Sequence, residues 1–515
     1  MTRQPAGRAG AITAIVTLIA MSAGIFPAEA VPQPAVDPAL VPADGPPGPG
    51  QPMRQTSICA QPISAAEPNP ELPAPGFTML NIAKAWEHST GNGVPVAVID
   101  TGVQPIPRLP VIGGGDYVMG GDGLADCDAH GTVIASIIAA APRGTSMPSA
   151  RPLRPAFPPP AGAQPGAEAT AGARNPSHSQ SPTRPAERSD GVVGVAPHST
   201  IISIRQSSRA FRPQAPHVGE PEGHQRAGTV ATLARAIVHA ANLGAKVINI
   251  SVIACVPAAE SLDQRTLGAA VWYAATVKDA VIVAAAGNEG EAGCAQNPGS
   301  DQLTSVDQRD WRHVATISTP SWFSDHVLSV AAVGPTGAPL DKSLSGPWVR
   351  IAAPGTGIIG LSPNAGKAVN AYPPPRVGEK EIPFWGTSFS AAYVSGTAAL
   401  VRAKFPDLSA DQVINRIVRT AHSPPAGVDN RIGYGLVDPV AALTFDVAGT
   451  SPAAGGSTTR VIVPSPPPPP PDHRARNTAL IFAGVVAAGA VVAALASSAR
   501  RATGMNTGRK LCDKV

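Results

Sequence analysis

Between residues 94 and 422 the chain alternates short apolar runs with helix-like segments, and this alternation restricts the fold more than any other feature. Apolar runs of strand length occupy 94–99, 199–204, 246–252, 280–286 and 327–333. Helical spacing occupies 132–141, 229–243, 267–278, 388–404 and 409–422. Gly244 is placed to end the second helix as a C-cap, and Ser409 with Gln412 forms a capping box at the start of the last. Strands apolar on both faces must be covered on both faces. The pattern therefore predicts an α/β fold with a mostly parallel central sheet and helices on each side. In such folds a functional site lies at the carboxyl ends of the strands.

Proline explains where this regularity stops. The 515 residues include 58 Pro and 52 Gly, too many for one uniform fold, but the prolines cluster. They crowd residues 31–76, a stretch at about 142–190, and 448–477, where Ser465 precedes six consecutive prolines. The last reads as a stiff polyproline spacer of about 3.1 Å per residue. The second lies inside the regular region and reads as a largely disordered surface insertion. It either shields a cleft, docks a partner or is inert. Charged residues are only 14% and aromatics 4%, with a net charge of +4. That balance argues against a dense basic surface or a base-stacking platform for nucleic acid.

The two ends read as targeting segments. Arg3 and Arg8, the apolar run 11–20 and Ala28-Glu29-Ala30 make residues 1–30 a secretory signal, with mature protein beginning near Val31. Residues 478–499 form an apolar run long enough to cross a bilayer as one helix. Arg500, Arg501, Arg509 and Lys510 follow it and fit a cytoplasmic tail at 500–515. The expectation is a single-pass cell-membrane protein with everything between signal and anchor outside the cytoplasm. Gly484 with Ala488, or Gly489 with Ala493, would allow close helix contact, or else reflect an Ala-rich composition.

Chemistry-bearing residues follow the strands. Asp100-Thr101-Gly102 ends the first run, and His130-Gly131-Thr132 opens the first helix. Asn288 lies between glycines just after the run at 280–286. Gly386-Thr387-Ser388 opens a long apolar helix, where free N–H groups favour developing negative charge. Each alone is a common turn or cap. Together, in the order Asp, His, Ser, they resemble the subtilisin-like (subtilase) serine proteases over residues 77–447, the insertion excepted. Gly194-Val195-Ala196-Pro197 and Val247-Ile248-Asn249-Ile250-Ser251 fit intervening strands of that family.

The resemblance implies that Ser388 is the nucleophile, His130 the general base and Asp100 the residue that orients the imidazole. It implies an oxyanion hole from the Asn288 side chain and the Ser388 N–H. Loss of such an Asn costs about 2.7–4 kcal/mol, a value established on subtilisin. It implies no cofactor and no metal, and no persuasive calcium loop stands in the sequence. Phe389, Ser390 and Ala392 depart from the family's usual residues after the nucleophile. Ser251, Val252, Ile253 and Gly287 are expected to line the substrate cleft, with Ile253 narrowing it.

Cys512 lies beyond the anchor, in a reducing compartment, which leaves Cys59, Cys127, Cys255 and Cys294 outside with three connectivities. Cys255 and Cys294 each follow a central strand, so their pairing would close the loops flanking the cleft and leave Cys59 to Cys127. Free thiols are the alternative. The second bridge would staple the 31–76 extension beside His130, stabilising by about 2–5 kcal/mol. The extension is then expected to stay attached and wrap the domain.

The whole layout is similar to the mycosins, membrane-anchored subtilases of actinobacterial type VII secretion systems. That resemblance implies a protein substrate and a partner, the secretion complex of the inner membrane, with two roles: processing and holding the complex together. The alternatives are a structural subunit with a little-used protease domain, and a free-standing maturation protease.

Overall fold

The computed structural model describes residues 34, 36–143, 190–215 and 227–448, apart from 261–262, 292, 299–308, 310, 312–313, 377 and 426. The expected signal, the bulk of the expected insertion, most of the expected spacer, and the expected membrane helix and tail lie outside the described residues. Among those described, no helix is long and apolar enough to cross a membrane.

Seven parallel strands form the central sheet. They are β2 (Pro95–Asp100), β3 (Val111–Asp116), β4 (Thr200–Arg205), β6 (Val247–Ile250), β8 (Val281–Ala285), β10 (Val327–Val333) and β11 (Val349–Pro354). Their spatial order is β11-β10-β8-β6-β2-β4-β3, and every neighbouring pair runs parallel. The chain adds β3 and β4 on one side of β2 and the later strands on the other, so the order reverses beside β2. That reversal opens a crevice at the carboxyl edge, where ligands bind in open α/β sheets. Outside this sheet, β7 (Ala254–Pro257) and β9 (Thr316–Thr319) form an antiparallel pair just beyond the exit of β6.

Side-chain alternation divides the core. Val96 and Val98 of β2 face a cluster with Val133, Ile134, Ile137, Val394 and Val401. These come from α3 (His130–Ala139) and α6 (Thr387–Lys404). Ala97 and Ile99 face the other side, where α4 (Val230–Asn242) and α5 (Arg265–Trp272) supply Leu233, Ile237, Leu267 and Val271. Shorter helices α1 (Pro75–Met79) and α2 (Ile82–Ala85) precede β2, while α7 (Ala410–Arg419) and α8 (Pro439–Thr444) close the domain.

The expected α/β architecture is present, and the element boundaries differ from expectation by a few residues. Ser409 and Gln412 make the reciprocal capping bonds, and Gly244 takes φ +86°. Two sheet strands escape the sequence pattern. β3 reads Val-Ile-Gly-Gly-Gly-Asp, and glycine is depleted in strands. Here a Cβ on Gly114 would stand 2.6 Å from Ile202 Cγ2, so the neighbouring strand requires the missing side chain. β11 ends in Ala-Ala-Pro and lacks the long apolar run of its neighbours. The helix expected over 267–278 is α-helical only to Trp272 and continues as a π turn, Tyr273–Val277.

The segment before the catalytic domain lies across its surface. Asp44 Oδ1 meets His239 Nδ1 at 2.8 Å, and β1 (Met53–Gln55) pairs antiparallel with β5 (Phe211–Pro213). Further along, Asn370 Oδ1 accepts from Ala65 N at 2.7 Å and its Nδ2 donates to Pro68 O at 2.8 Å. Disulfides join Cys59 to Cys127 and Cys255 to Cys294, the connectivity expected. At the edges of the insertion, the Arg108 guanidinium donates to both oxygens of Asp190 at 2.8 and 2.9 Å, and Arg143 Nε donates to the same carboxylate at 2.8 Å. The two ends of that segment therefore leave the fold from one point.

A buried cation fixes the far side of the core. The Arg402 side chain in α6 is 3% exposed and meets Asp279 through both carboxylate oxygens, at 3.0 and 3.1 Å. Asp279 Oδ1 also accepts from Ala410 N at 2.6 Å, at the start of α7. Burial raises the Asp279 pKa, but its bonds to Arg402 and Ala410 outweigh that and hold it below the ordinary value. This contribution is complete above the unfolded pKa and is lost as pH falls through the folded one. Asp279→Ala leaves the guanidinium without a counter-ion, and the expected loss is about 3 kcal/mol in urea unfolding. An unchanged midpoint would contradict the pairing.

Candidate active site

Four segments converge at the carboxyl edge of the sheet. Asp100, the last residue of β2, is fully buried. Its Oδ1 accepts from Thr101 N and from His130 Nδ1, each at 2.7 Å. The bond at Nδ1 favours the tautomer protonated there, so that Nε2 keeps its lone pair.

Tight backbone geometry brings these two residues together. Gly102 has φ +99°, and a Cβ on it would stand 2.2 Å from Ala125 O. A Cβ on Gly131 would stand 2.1 Å from Gly102 O. Only glycines let the β2 exit and the α3 start approach so closely.

The carboxylate of Asp126, which sequence reasoning missed, joins the same two segments. Its Oδ1 accepts from Thr101 Oγ1 at 2.8 Å and Asp128 N at 3.1 Å. Its Oδ2 accepts from Thr132 N at 2.8 Å and Thr132 Oγ1 at 2.7 Å. Thr101 Oγ1 in turn accepts from Gly131 N at 2.9 Å. Asp126 thus supplies the acceptors that the first turn of α3 lacks, because the residue at its N-cap, Ala129, has no polar side chain. Burial pushes the Asp126 carboxyl up to about 6, against the bonds from Thr132 and Thr101. An Asp four residues ahead of a helix-opening His was the available signal.

His130 has a side chain 24% exposed, open to the crevice on one side. Burial disfavours its charged form. The Asp100 charge and hydrogen bond overcome this, with Asp126 adding and Arg209 subtracting, and its pKa lies above the ordinary value.

Ser388 is the second residue of α6 and is buried. Its hydroxyl donates to Ser251 O at 3.2 Å. Ser251 leaves β6 and is itself held by Asn249, whose Nδ2 donates to Ser251 Oγ at 2.8 Å. Ser395 Oγ, two turns along α6, donates to Asn249 Oδ1 at 2.8 Å. Phe389 lies against the His130 ring with centroids 5.4 Å apart, which ties α6 to α3 at the crevice. Gly386, φ +136°, precedes the helix where a Cβ would come within 3.0 Å of Asn288 Nδ2.

Asn288 follows β8. Its Oδ1 accepts from Thr387 N at 3.0 Å and Thr387 Oγ1 at 3.1 Å, so its amide is oriented by the residue before Ser388. Thr387 Oγ1 also accepts from Gly287 N at 3.1 Å. Asn288 Nδ2 donates to Glu291 Oε2 at 3.2 Å. Of the expected cleft residues, Ser251 is buried while Val252 and Ile253 are half-buried. A Cβ on Gly287 would lie 3.4 Å from Ile253 Cδ1, so the Ile253 side chain reaches across the Gly287 backbone. Among the described residues, no cluster of His, Cys, Asp and Glu is arranged to hold a metal ion.

The arrangement offers a histidine oriented by a buried carboxylate, a hydroxyl at a helix N-terminus and a fixed amide beside it. Comparison with known proteins agrees with that chemistry. The profile of the subtilase family (Peptidase_S8) matches residues 91–435. Mycosin-2 of Mycobacterium tuberculosis is 59% identical over 488 residues, covering 86% of this chain and 89% of its own. A chain in the solved periplasmic assembly of the ESX-5 inner membrane complex is 49% identical, with a TM-score of 0.69, over 85% of this chain and 100% of that one. The serine protease MycP1, described as an essential component of the type VII (ESX-1) secretion system, is 44% identical with a TM-score of 0.68, over 81% of this chain and 100% of its own. The chain belongs to the subtilase family of serine peptidases and, within it, to the mycosins.

Proposed function

We propose that this protein is a serine endopeptidase of the extracytoplasmic face, associated with a type VII secretion complex, in which Asp100, His130 and Ser388 carry the chemistry. The observation that carries the reading is the 2.7 Å contact between Asp100 and His130 Nδ1 in a crevice that also holds Ser388 at a helix N-terminus. For catalysis the Ser388 hydroxyl must leave the Ser251 carbonyl, to which it donates at 3.2 Å, and turn its proton to His130 Nε2. Oγ then attacks the scissile carbonyl while His130 accepts its proton, and Asp100 stabilises the imidazolium. The Asn288 amide and the Ser388 N–H receive the oxyanion. His130 returns the proton to the leaving amine, and water completes hydrolysis by the same route. Ser251, Val252, Ile253 and Gly287 border the cleft, with Ile253 limiting its width.

The proposed organisation is a signal at 1–30, a retained extension at 31–76, the peptidase domain at 77–447, a spacer at 448–477, a membrane helix at 478–499 and a cytoplasmic tail at 500–515. Similarity to a chain of the ESX-5 periplasmic assembly supports the second role, stabilising a secretion complex. Ser388→Ala separates the roles. N-terminal peptide mapping of secreted proteins should lose one or more cleavage products in the variant, while native sizing of detergent-extracted complex stays unchanged. Loss of the complex with the domain still folded would contradict the separation, and a monomer alone in wild type would contradict the association.

The pH profile tests the triad. His130 must be neutral to act as base, and its pKa lies above 6.5, so kcat/KM should rise with pH along a limb centred above 6.5. Asp100→Asn removes the charge that raises it and leaves burial dominant. The limb should then move below 6.5, with kcat lower by about 10⁴-fold. An unmoved limb would assign the base elsewhere.

A further inference from the structure

The Asn288 amide already has an occupant. Its Oδ1 is held by two donors on Thr387, at 3.0 and 3.1 Å, so the orientation of the amide needs no further support. Its Nδ2 nevertheless donates to the Glu291 carboxylate at 3.2 Å. Glu291 is fixed from behind by its own loop. Its N–H donates to Asn288 O at 3.1 Å, and its carbonyl accepts from Cys294 N at 2.8 Å. Cys294 is bonded covalently to Cys255, beyond the exit of β6, so this turn is tied to the sheet.

A cation stands nearby. Arg209 NH2 lies 3.7 Å from the same Glu291 oxygen. The Arg209 backbone is held on the opposite side, where its N–H donates to Asp128 Oδ1 at 2.8 Å, two residues before His130. Both side chains are open to solvent, 79% for Arg209 and 43% for Glu291, so the ion pair does little for stability. One carboxylate oxygen of Glu291 therefore meets the amide and the guanidinium together, and Arg209 gives the carboxylate a partner other than the amide.

We propose that Glu291 is an internal competitor for the oxyanion donor and sets a low basal rate of hydrolysis. The inference rests on the assignment of Asn288 to the oxyanion hole. A carboxylate on Nδ2 opposes the tetrahedral intermediate in two ways. It occupies a donor, and it places negative charge beside the developing oxyanion, where preorganised positive dipoles are needed. A substrate carbonyl must displace it towards Arg209 before attack. The enzyme thereby spends part of its substrate-binding energy on clearing the site. A segment that draws Glu291 away, through its own basic side chain, accelerates cleavage without touching the triad.

The test uses full-length protein in detergent and a fluorophosphonate probe. Ser388 Oγ attacks the phosphorus, fluoride leaves, and the phosphonyl oxygen takes the oxyanion position. The readout is the second-order rate constant of phosphonylation, with thermal unfolding as the check on folding. Glu291→Ala should react about tenfold faster than wild type, because a hydrogen bond to a charged group no longer has to be broken. Glu291→Gln, a neutral and weaker acceptor, should fall between them. Asn288→Ala should be slower than wild type by about 10²-fold or more, and in that background Glu291→Ala should bring no gain. A Glu291→Ala enzyme that folds normally but reacts no faster overturns the proposal, as does a gain that survives in the Asn288→Ala background. Asn288→Ala reacting as fast as wild type would instead remove the oxyanion assignment itself, and the competition with it.

Discussion

A single buried carboxylate ties the exit of β2 to the start of α3. Asp126 accepts four hydrogen bonds from Thr101, Asp128 and Thr132, on the two segments that carry or flank Asp100 and His130. Without it, the first turn of α3 would be short of acceptors, since Ala129 cannot cap it. With it, the helix start comes so close to the β2 exit that Gly131 admits no Cβ, and Gly102 admits none against the loop that ends at Asp126. The 2.7 Å bond between Asp100 and His130 follows from this closure. The desolvation that pushes Asp126 up to about 6 is the cost of putting such a hub inside the core. Ionising this carboxyl in the fold therefore costs stability as pH rises from 3.8 to about 6, and the loss is complete above that range.

On the other side of the crevice, α6 plays the matching part. Its length lets one helix carry both the Ser388 hydroxyl at its N-terminus and Ser395, which anchors Asn249 and through it Ser251. Thr387 orients Asn288, and Phe389 meets the His130 ring. Phe389, a departure from the residue usual in the family, is therefore a contact between the two halves of the site. The extension and the disulfides brace the margins. Cys59–Cys127 lies beside the segment that leads to His130, and Cys255–Cys294 restrains the turn that follows Asn288.

Much of this was legible in the sequence because strong, local signals coincided. Continuous apolar runs marked five of the seven sheet strands, and the four polar residues at their ends or at helix starts fell in one order. Gly244, Ser409 and Gln412 announced helix ends through backbone requirements that do not depend on tertiary context. The pairing of the cysteines followed from where the strands had to end. What stayed hidden depended on contacts between distant segments. β3 is a strand because Ile202 leaves no room for side chains at Gly114, not because Val-Ile-Gly-Gly-Gly-Asp favours one. Asp126 drew no expectation, because its role comes from burial and from four donors on segments that only the fold brings together. Glu291 drew none either, because nothing in the sequence shows its carboxylate meeting the Asn288 amide.

The mechanism depends on Ser388 being the nucleophile that His130 activates. The most direct measurement is peptide mass mapping of the full-length protein after reaction with a fluorophosphonate. One phosphonyl group should be found, on Ser388, and none on the folded His130→Ala protein under the same conditions. Modification at another residue, a folded wild-type protein that remains unmodified, or a His130→Ala protein that reacts as readily as wild type, would contradict it.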